Sequence, residues 1–133
     1  MKVAVICIIL SGLLIFGCTI PYIDAPLIMR IKSASLTIVW DAPVINLPGS
    51  PNYVSSYRIY YSRYGTSDWR LLGETPAPEN PSFTVPHSSV GDGRFVFAVS
   101  SLNTIGEESE LHTSLDMSAD PQSGWYIWWI RND

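Results

Sequence analysis

Two histidines, two cysteines, three clustered glutamates and scattered serines are the residues that could do acid–base, nucleophilic or metal chemistry in this sequence. His87 precedes one strand-like run and His112 lies on another, so no imidazole pair stands at zinc-ligand spacing. Cys7 falls in an apolar leader and Cys18 directly after it, away from both histidines. No Gly-x-Ser-x-Gly elbow, phosphate loop or dinucleotide fingerprint occurs among the serines and glycines. Glu107, Glu108 and Glu110 could meet calcium or a basic partner, but an acidic run of that size is also what a solvated strand edge looks like. The expectation is a protein without catalytic residues, metal or cofactor.

The other chemically capable group is aromatic. Trp125, Tyr126, Trp128 and Trp129 crowd into "GWYIWWIRND" (Gly124 to Asp133), after the "SADPQSG" linker. Rigid rings with one polar edge suit protein interfaces, sugar faces and the membrane–water boundary, so these four are candidate partner-binding residues. The competing expectation is that the segment folds back as an added strand over an open sheet edge. As a strand it would place Trp125, Ile127 and Trp129 on one face and Tyr126, Trp128 and Ile130 on the other. Its few apolar residues are too short a run to span a bilayer.

Positioning begins at the amino terminus. Lys2 is followed by an apolar stretch from Val3 to Phe16, broken early by Pro21, Asp24 and Pro26. A membrane-spanning helix needs roughly 20 apolar residues, so a cleaved leader fits better. Ile15, Phe16, Gly17 and Cys18 resemble the lipobox of bacterial lipoproteins: a branched aliphatic, a tolerant position, a small residue, then the cysteine. Phe16 is bulkier than that position usually holds. The resemblance implies cleavage before Cys18, a diacylglycerol thioether on its sulfur and palmitate-type acylation of the new amino terminus. Two or three chains hold firmly where one is marginal, because each buried methylene contributes about 0.8 kcal/mol. Thr19 in place of an aspartate after the cysteine implies, by the same resemblance, the outer membrane where the host has one. Cys7 would leave with the leader, so no disulfide pair remains.

The body is built for short strands. The composition is 47% hydrophobic and 15% charged, with a formal net charge of −4, which excludes the basic footprint of a nucleic-acid binder. Removing residues 1–17 takes Lys2 and leaves seven basic against twelve acidic side chains. Apolar residues alternate in "LIMRI", "SLTIVWD", "YVSSYRIYYSR", "DWRLLGE", "SFTVP", "GDGRFVFAVSSLN" and "ESELHTSLD", separated by Pro- and Gly-bearing turns. Leu36, Ile38 and Trp40 share a face, as do Tyr57, Ile59 and Tyr61, and Phe95, Phe97 and Val99. Seven strands without a helical stripe predict an all-β, immunoglobulin-like antiparallel β-sandwich.

"LTIVWDAP", "YRIYYS" and "FVFAVSSLNTIGEES" resemble, in order and spacing, strands of a fibronectin type III domain, over about Pro26 to Asp116. Phe95 stands where that family usually has a corner tyrosine, which removes one hydrogen bond worth about 1 kcal/mol. The resemblance implies that loops at one end do the binding, here Asn46 to Asn52, Arg63 to Ser67 and Asn103 to Glu107. The expected organisation is a leader over 1–17, a tether over 18–25, the fibronectin type III-like domain over 26–117 and an aromatic tail over 118–133. The expected role is a membrane-anchored, non-enzymatic binding or adhesion module of the bacterial cell envelope. It would be held by acyl chains on Cys18 and engage an envelope protein or glycan. A structural accessory subunit of a larger envelope complex and a carbohydrate-binding module stay open beside it.

Overall fold

The structure is a computed structural model that describes residues 25–42, 46–51, 53–76, 79–115 and 124–131. The leader, Cys18 and most of the tether lie outside the described residues. Eight strands and one helical turn follow in the order β1 (Leu27–Ile31), β2 (Ser35–Val39), β3 (Val54–Arg63), β4 (Arg70–Thr75), β5 (Ser82–Pro86), α1 (His87–Val90), β6 (Gly93–Asn103), β7 (His112–Thr113) and β8 (Trp125–Trp129). Six form a sheet in the order β1-β8-β6-β3-β4, with β7 also paired to β6. The second sheet is the antiparallel pair β2-β5.

Alternation decides which side chains fill the space between the sheets. Ile38 and Val85 come from the small sheet, and Ile59, Phe95, Phe97, Ile127 and Trp129 from the large one. Leu36, Trp40, Tyr61 and Val99 pack against this core, so the faces assigned by period are those that turn inward. Phe95 is fully buried, with its ring edge-on to Tyr61 at 5.9 Å. The architecture is an immunoglobulin-like two-sheet sandwich.

Three details differ from expectation. The final strand is in two pieces, β7 and β8, on the same neighbour β6. "HSSV" closes into the helical turn α1 between Pro86 and Gly91. The third correction concerns residues 124–131, which are not a tail beyond the domain. β8 lies inside the large sheet, parallel to β1 over Leu27–Ile31 and antiparallel to β6 over Gly93–Phe95. Every described strand and the whole described core fall between Leu27 and Trp129, so the chain from Thr19 onward carries all of the described sandwich.

Gly124 makes the return possible. Its φ of 74° is left-handed, and a Cβ there would stand 2.5 Å from the Leu115 Cα and 2.8 Å from the Ser114 carbonyl oxygen. That close approach sets the Trp125 amide to donate to Ser114 at 2.8 Å and the Leu27 amide to donate to Gly124 at 3.0 Å.

Two substitutions probe this arrangement by chemical denaturation. Trp129→Ala is expected to lower stability by about 3–5 kcal/mol, the usual cost of truncating a fully buried aromatic. Gly124→Ala is expected to cost at least about 1–3 kcal/mol through a strained φ alone. Unchanged midpoints would show that β8 is not a fixed part of the sheet.

Candidate functional site

The aromatic segment divides between the two faces of the sheet. Trp125, Ile127 and Trp129 turn inward, where Ile127 and Trp129 join the core and Trp125 packs against it. The Trp129 indole N–H donates to the Ser33 carbonyl at 2.8 Å, and its ring meets His87 edge-on at 5.1 Å. Tyr126 turns outward but is buried beneath Tyr64, stacked at 4.1 Å with 13° between the planes. Of the four candidate binding residues, Trp128 is the one that combines an outward direction with partial exposure.

Trp128 does not present an open ring. Arg30 on β1 and Arg94 on β6 are its register partners on the two sides, and their guanidinium carbons lie 4.6 and 4.7 Å from the ring centroid. Such stacking contributes about 0.5–1 kcal/mol per pair at an exposed site. A sugar platform needs a bare aromatic face, and here the guanidiniums occupy Trp128 while Tyr64 covers Tyr126. Sequence reading put Tyr126, Trp128 and Ile130 on one face but missed Arg30, Arg94 and Tyr64. Pairing of the last strand with Leu27–Ile31 and with the start of β6 would have brought both arginines into register.

The three loops do not share an end. β3 pairs with β6 so that Val54 faces Asn103 and Arg63 faces Phe95. The loop entering β3 and the loop leaving β6 are therefore neighbours, and Arg63–Ser67 is at the opposite end. The first loop is braced by Asn46, whose side chain accepts from the Val54 amide at 2.8 Å and donates to its carbonyl at 3.0 Å. In the second, the Asn103 carboxamide oxygen accepts from the Ile105 and Glu107 amides at 3.1 and 2.8 Å. These braces leave Leu47 63% and Ile105 78% exposed at one end of the sandwich.

The acidic run is not uniform. Glu107 accepts from Asn103 and Glu110 is exposed, whereas Glu108 turns onto the outer face of the large sheet. There it accepts hydrogen bonds from Ser100 at 2.5 Å, from Arg58 at 3.0 Å and from the Tyr60 hydroxyl. The Ser100 bond, then the Tyr60 bond, hold the Glu108 carboxyl below its ordinary range. Burial and the same carboxylate push the Tyr60 hydroxyl up. At the other end, the Arg131 backbone N–H and His87 hold Asp92 low. His87 and Asp92 are 2.7 Å apart, while His112 lies opposite Val99 in the middle of β6. Among the described residues, no three His, Cys, Asp or Glu side chains gather as a metal site.

A cleft of 660 Å³ opens between the sheets, lined by Ile38, Trp40, Tyr57, Phe97, His112 and Trp125 among others. The Trp40 indole N–H is buried beside it without a hydrogen-bond partner among the described residues. Ala42 and Ser114 border the cleft, and residues 43–45 and 116–123, which follow them, lie outside the described residues. Cys18 lies there as well, so no geometry is attached to it.

No protein-family model and no curated protein matches the chain. Among solved structures, it is similar to a titin kinase with its flanking domains at 19% identity and a TM-score of 0.45, over 66% of this chain and 16% of that one. It is also similar to a chitin-active lytic polysaccharide monooxygenase, solved by NMR in the Cu(I) state. That match has 14% identity and a TM-score of 0.44, over 78% of this chain and 58% of that one. The chain thus spans less than two thirds of either protein.

Glu108 supplies a pH test. A carboxyl held low in the folded state stabilises above its unfolded pKa and loses that contribution as pH falls through the folded one. Glu108→Gln is expected to lower stability near neutral pH by about 1–2 kcal/mol, from the weakened charged hydrogen bonds at a partly exposed site. It should also flatten the loss of stability that denaturant titrations of the parent are expected to show as pH falls below the ordinary glutamate range. An identical acid profile in the variant would contradict the role given to this carboxylate.

Proposed function

We propose that the mature chain is a lipid-anchored binding module of the bacterial envelope, displaying a fibronectin type III-like sandwich and performing no chemistry of its own. The observation that carries the reading is the order of its parts. An apolar leader ends at the lipobox-like Ile15 to Cys18, and β1 begins at Leu27, nine residues later. Acyl chains on Cys18 would therefore hold the sandwich close to a bilayer. An extended tether of that length reaches at most about 30 Å at 3.3–3.6 Å per residue.

The binding end in this reading is the pair of loops carrying Leu47 and Ile105. Exposed aliphatic side chains on hydrogen-bonded loops are pre-organised, so little ordering entropy is lost when a protein partner covers them. The aromatic segment contributes indirectly, by completing the sheet that holds those loops. The occupied faces of Trp128 and Tyr126 favour a protein partner over a glycan.

Intact-mass measurement of the membrane fraction tests the anchor, with the full-length chain compared to Cys18→Ala. The expected result is a species beginning at Cys18 with added acyl mass, absent from the variant. An unmodified mass in the soluble fraction would overturn the anchored reading and leave the sandwich standing.

A further inference from the structure

Among the described residues β1 is an open edge of the large sheet, and its composition is unusual for such a strand. In the strand order it has β8 on one side and no described strand on the other. Leu27, Ile28 and Met29 are 47%, 48% and 49% exposed. The second sheet has only β2 and β5, and of the β1 side chains Ile31 is the one packed against the buried core. An apolar edge with free N–H and C=O groups is ordinarily blunted or covered, because it pairs with other chains.

The charge around this edge runs against that of the molecule. After the leader, seven basic side chains remain against twelve acidic ones. Arg30 and Lys32 lie on and just after β1, and Arg94, across β8 on β6, meets Arg30 over the Trp128 ring, so three of the seven stand on this side of the large sheet. Of the others, Arg58 is paired with Glu74 and Glu108, Arg70 with Asp68, Arg63 lies over the Phe95 ring, and Arg131 follows β8. Asp92 is the described carboxylate here, and it accepts from the Arg131 backbone N–H and pairs with His87, while Asp24 and Asp133, near in sequence, lie outside the described residues. Arg30 and Arg94 hold their guanidinium carbons over Trp128, 4.6 and 4.7 Å from the ring centroid. Stacking uses the guanidinium face and leaves the N–H edges to bind phosphate oxygens.

We propose that the β1 edge of the sandwich, with Leu27, Ile28, Met29, Arg30, Lys32 and Arg94, rests on a lipid surface bearing anionic headgroups. Charge complementarity selects the surface: an acidic protein approaches anionic lipid only through a local concentration of cations. The outer backbone edge of β1, which no described strand pairs, sets the depth. Open sheet edges are not tolerated in hydrocarbon, so the strand stays at headgroup level, where Arg, Trp and short apolar side chains are at home. The inference rests on the anchored reading in one respect, that Cys18 delivers this edge to a bilayer.

Co-sedimentation of the unacylated chain 19–133 with vesicles provides the test, since that chain carries every described strand of the sandwich. Vesicles of phosphatidylglycerol mixed with phosphatidylcholine should retain it, phosphatidylcholine alone should not, and added salt should release it. Arg30→Gln and Lys32→Gln are each expected to weaken retention about fivefold, at roughly 1 kcal/mol per cation near an anionic leaflet. Arg30→Lys should keep most of it. Lys32 is exposed and has no stacking role to lose, so its variant serves if Arg30→Gln fails to fold. Equal retention on neutral vesicles, no retention on anionic ones, or full retention by folded Lys32→Gln would overturn the proposal. So would self-association through β1 in place of lipid binding, seen as a concentration-dependent rise in mass without vesicles. The mass of the acylated full-length chain does not depend on these vesicle results, so the anchor and the lipid-facing edge fail separately.

Discussion

The indole of Trp129 is the contact on which the other parts converge. It is fully buried, donates to Ser33 in the turn between β1 and β2, and meets His87 of α1 edge-on. His87 in turn pairs with Asp92, whose carboxylate accepts the Arg131 amide just beyond β8. One side chain thus ties the last strand to the first turn, to the helical turn and to the start of β6. A buried indole with its N–H satisfied contributes large apolar area without the penalty of an orphaned donor. Trp40, whose N–H has no described partner, shows the less favourable case in the same fold.

Committing Trp129 to the interior sets the rest of the segment by alternation. With Trp125 and Ile127 inward, Tyr126 and Trp128 must face out; the register sets Arg30 and Arg94 beside Trp128, and Tyr64, just beyond β3, covers Tyr126. A run of aromatic residues that would be a liability in solution becomes sheet interior on one side and a stacked, charged surface on the other. The electrostatic consequence is an asymmetric molecule. Among the described residues, Glu74 and Glu108 are held by Arg58 on β3, while Arg30 and Arg94 meet over Trp128 on the β1 side.

Strands β2, β3 and β6 were legible because apolar and polar residues alternate in them over several residues, and the residues so assigned form the core. The position of β8 was not. "WYIWW" is apolar at every position, so alternation cannot say which residues turn inward, and its partner β1 is parallel and nearly the whole chain away. The grouping of Arg63–Ser67 with the other loops failed for a related reason. Which end a loop occupies follows from strand direction in the folded sheet, and local pattern does not carry it. Glu108 looked like its neighbours Glu107 and Glu110, yet its partners Ser100, Tyr60 and Arg58 come from two other strands. Cys18 is the reverse case, a residue whose significance rests on sequence alone.

The account turns on residues 125–129 being an interior strand of the large sheet, and native-state amide hydrogen exchange tests that most directly. Ile127, Trp128 and Trp129 lie between β1 and β6, so their amides are predicted to exchange only through global unfolding, as slowly as those of Phe97 and Val99 in β6. Fast exchange of Ile127 to Trp129 alongside a protected β6 would contradict the account and return the aromatic segment to the surface.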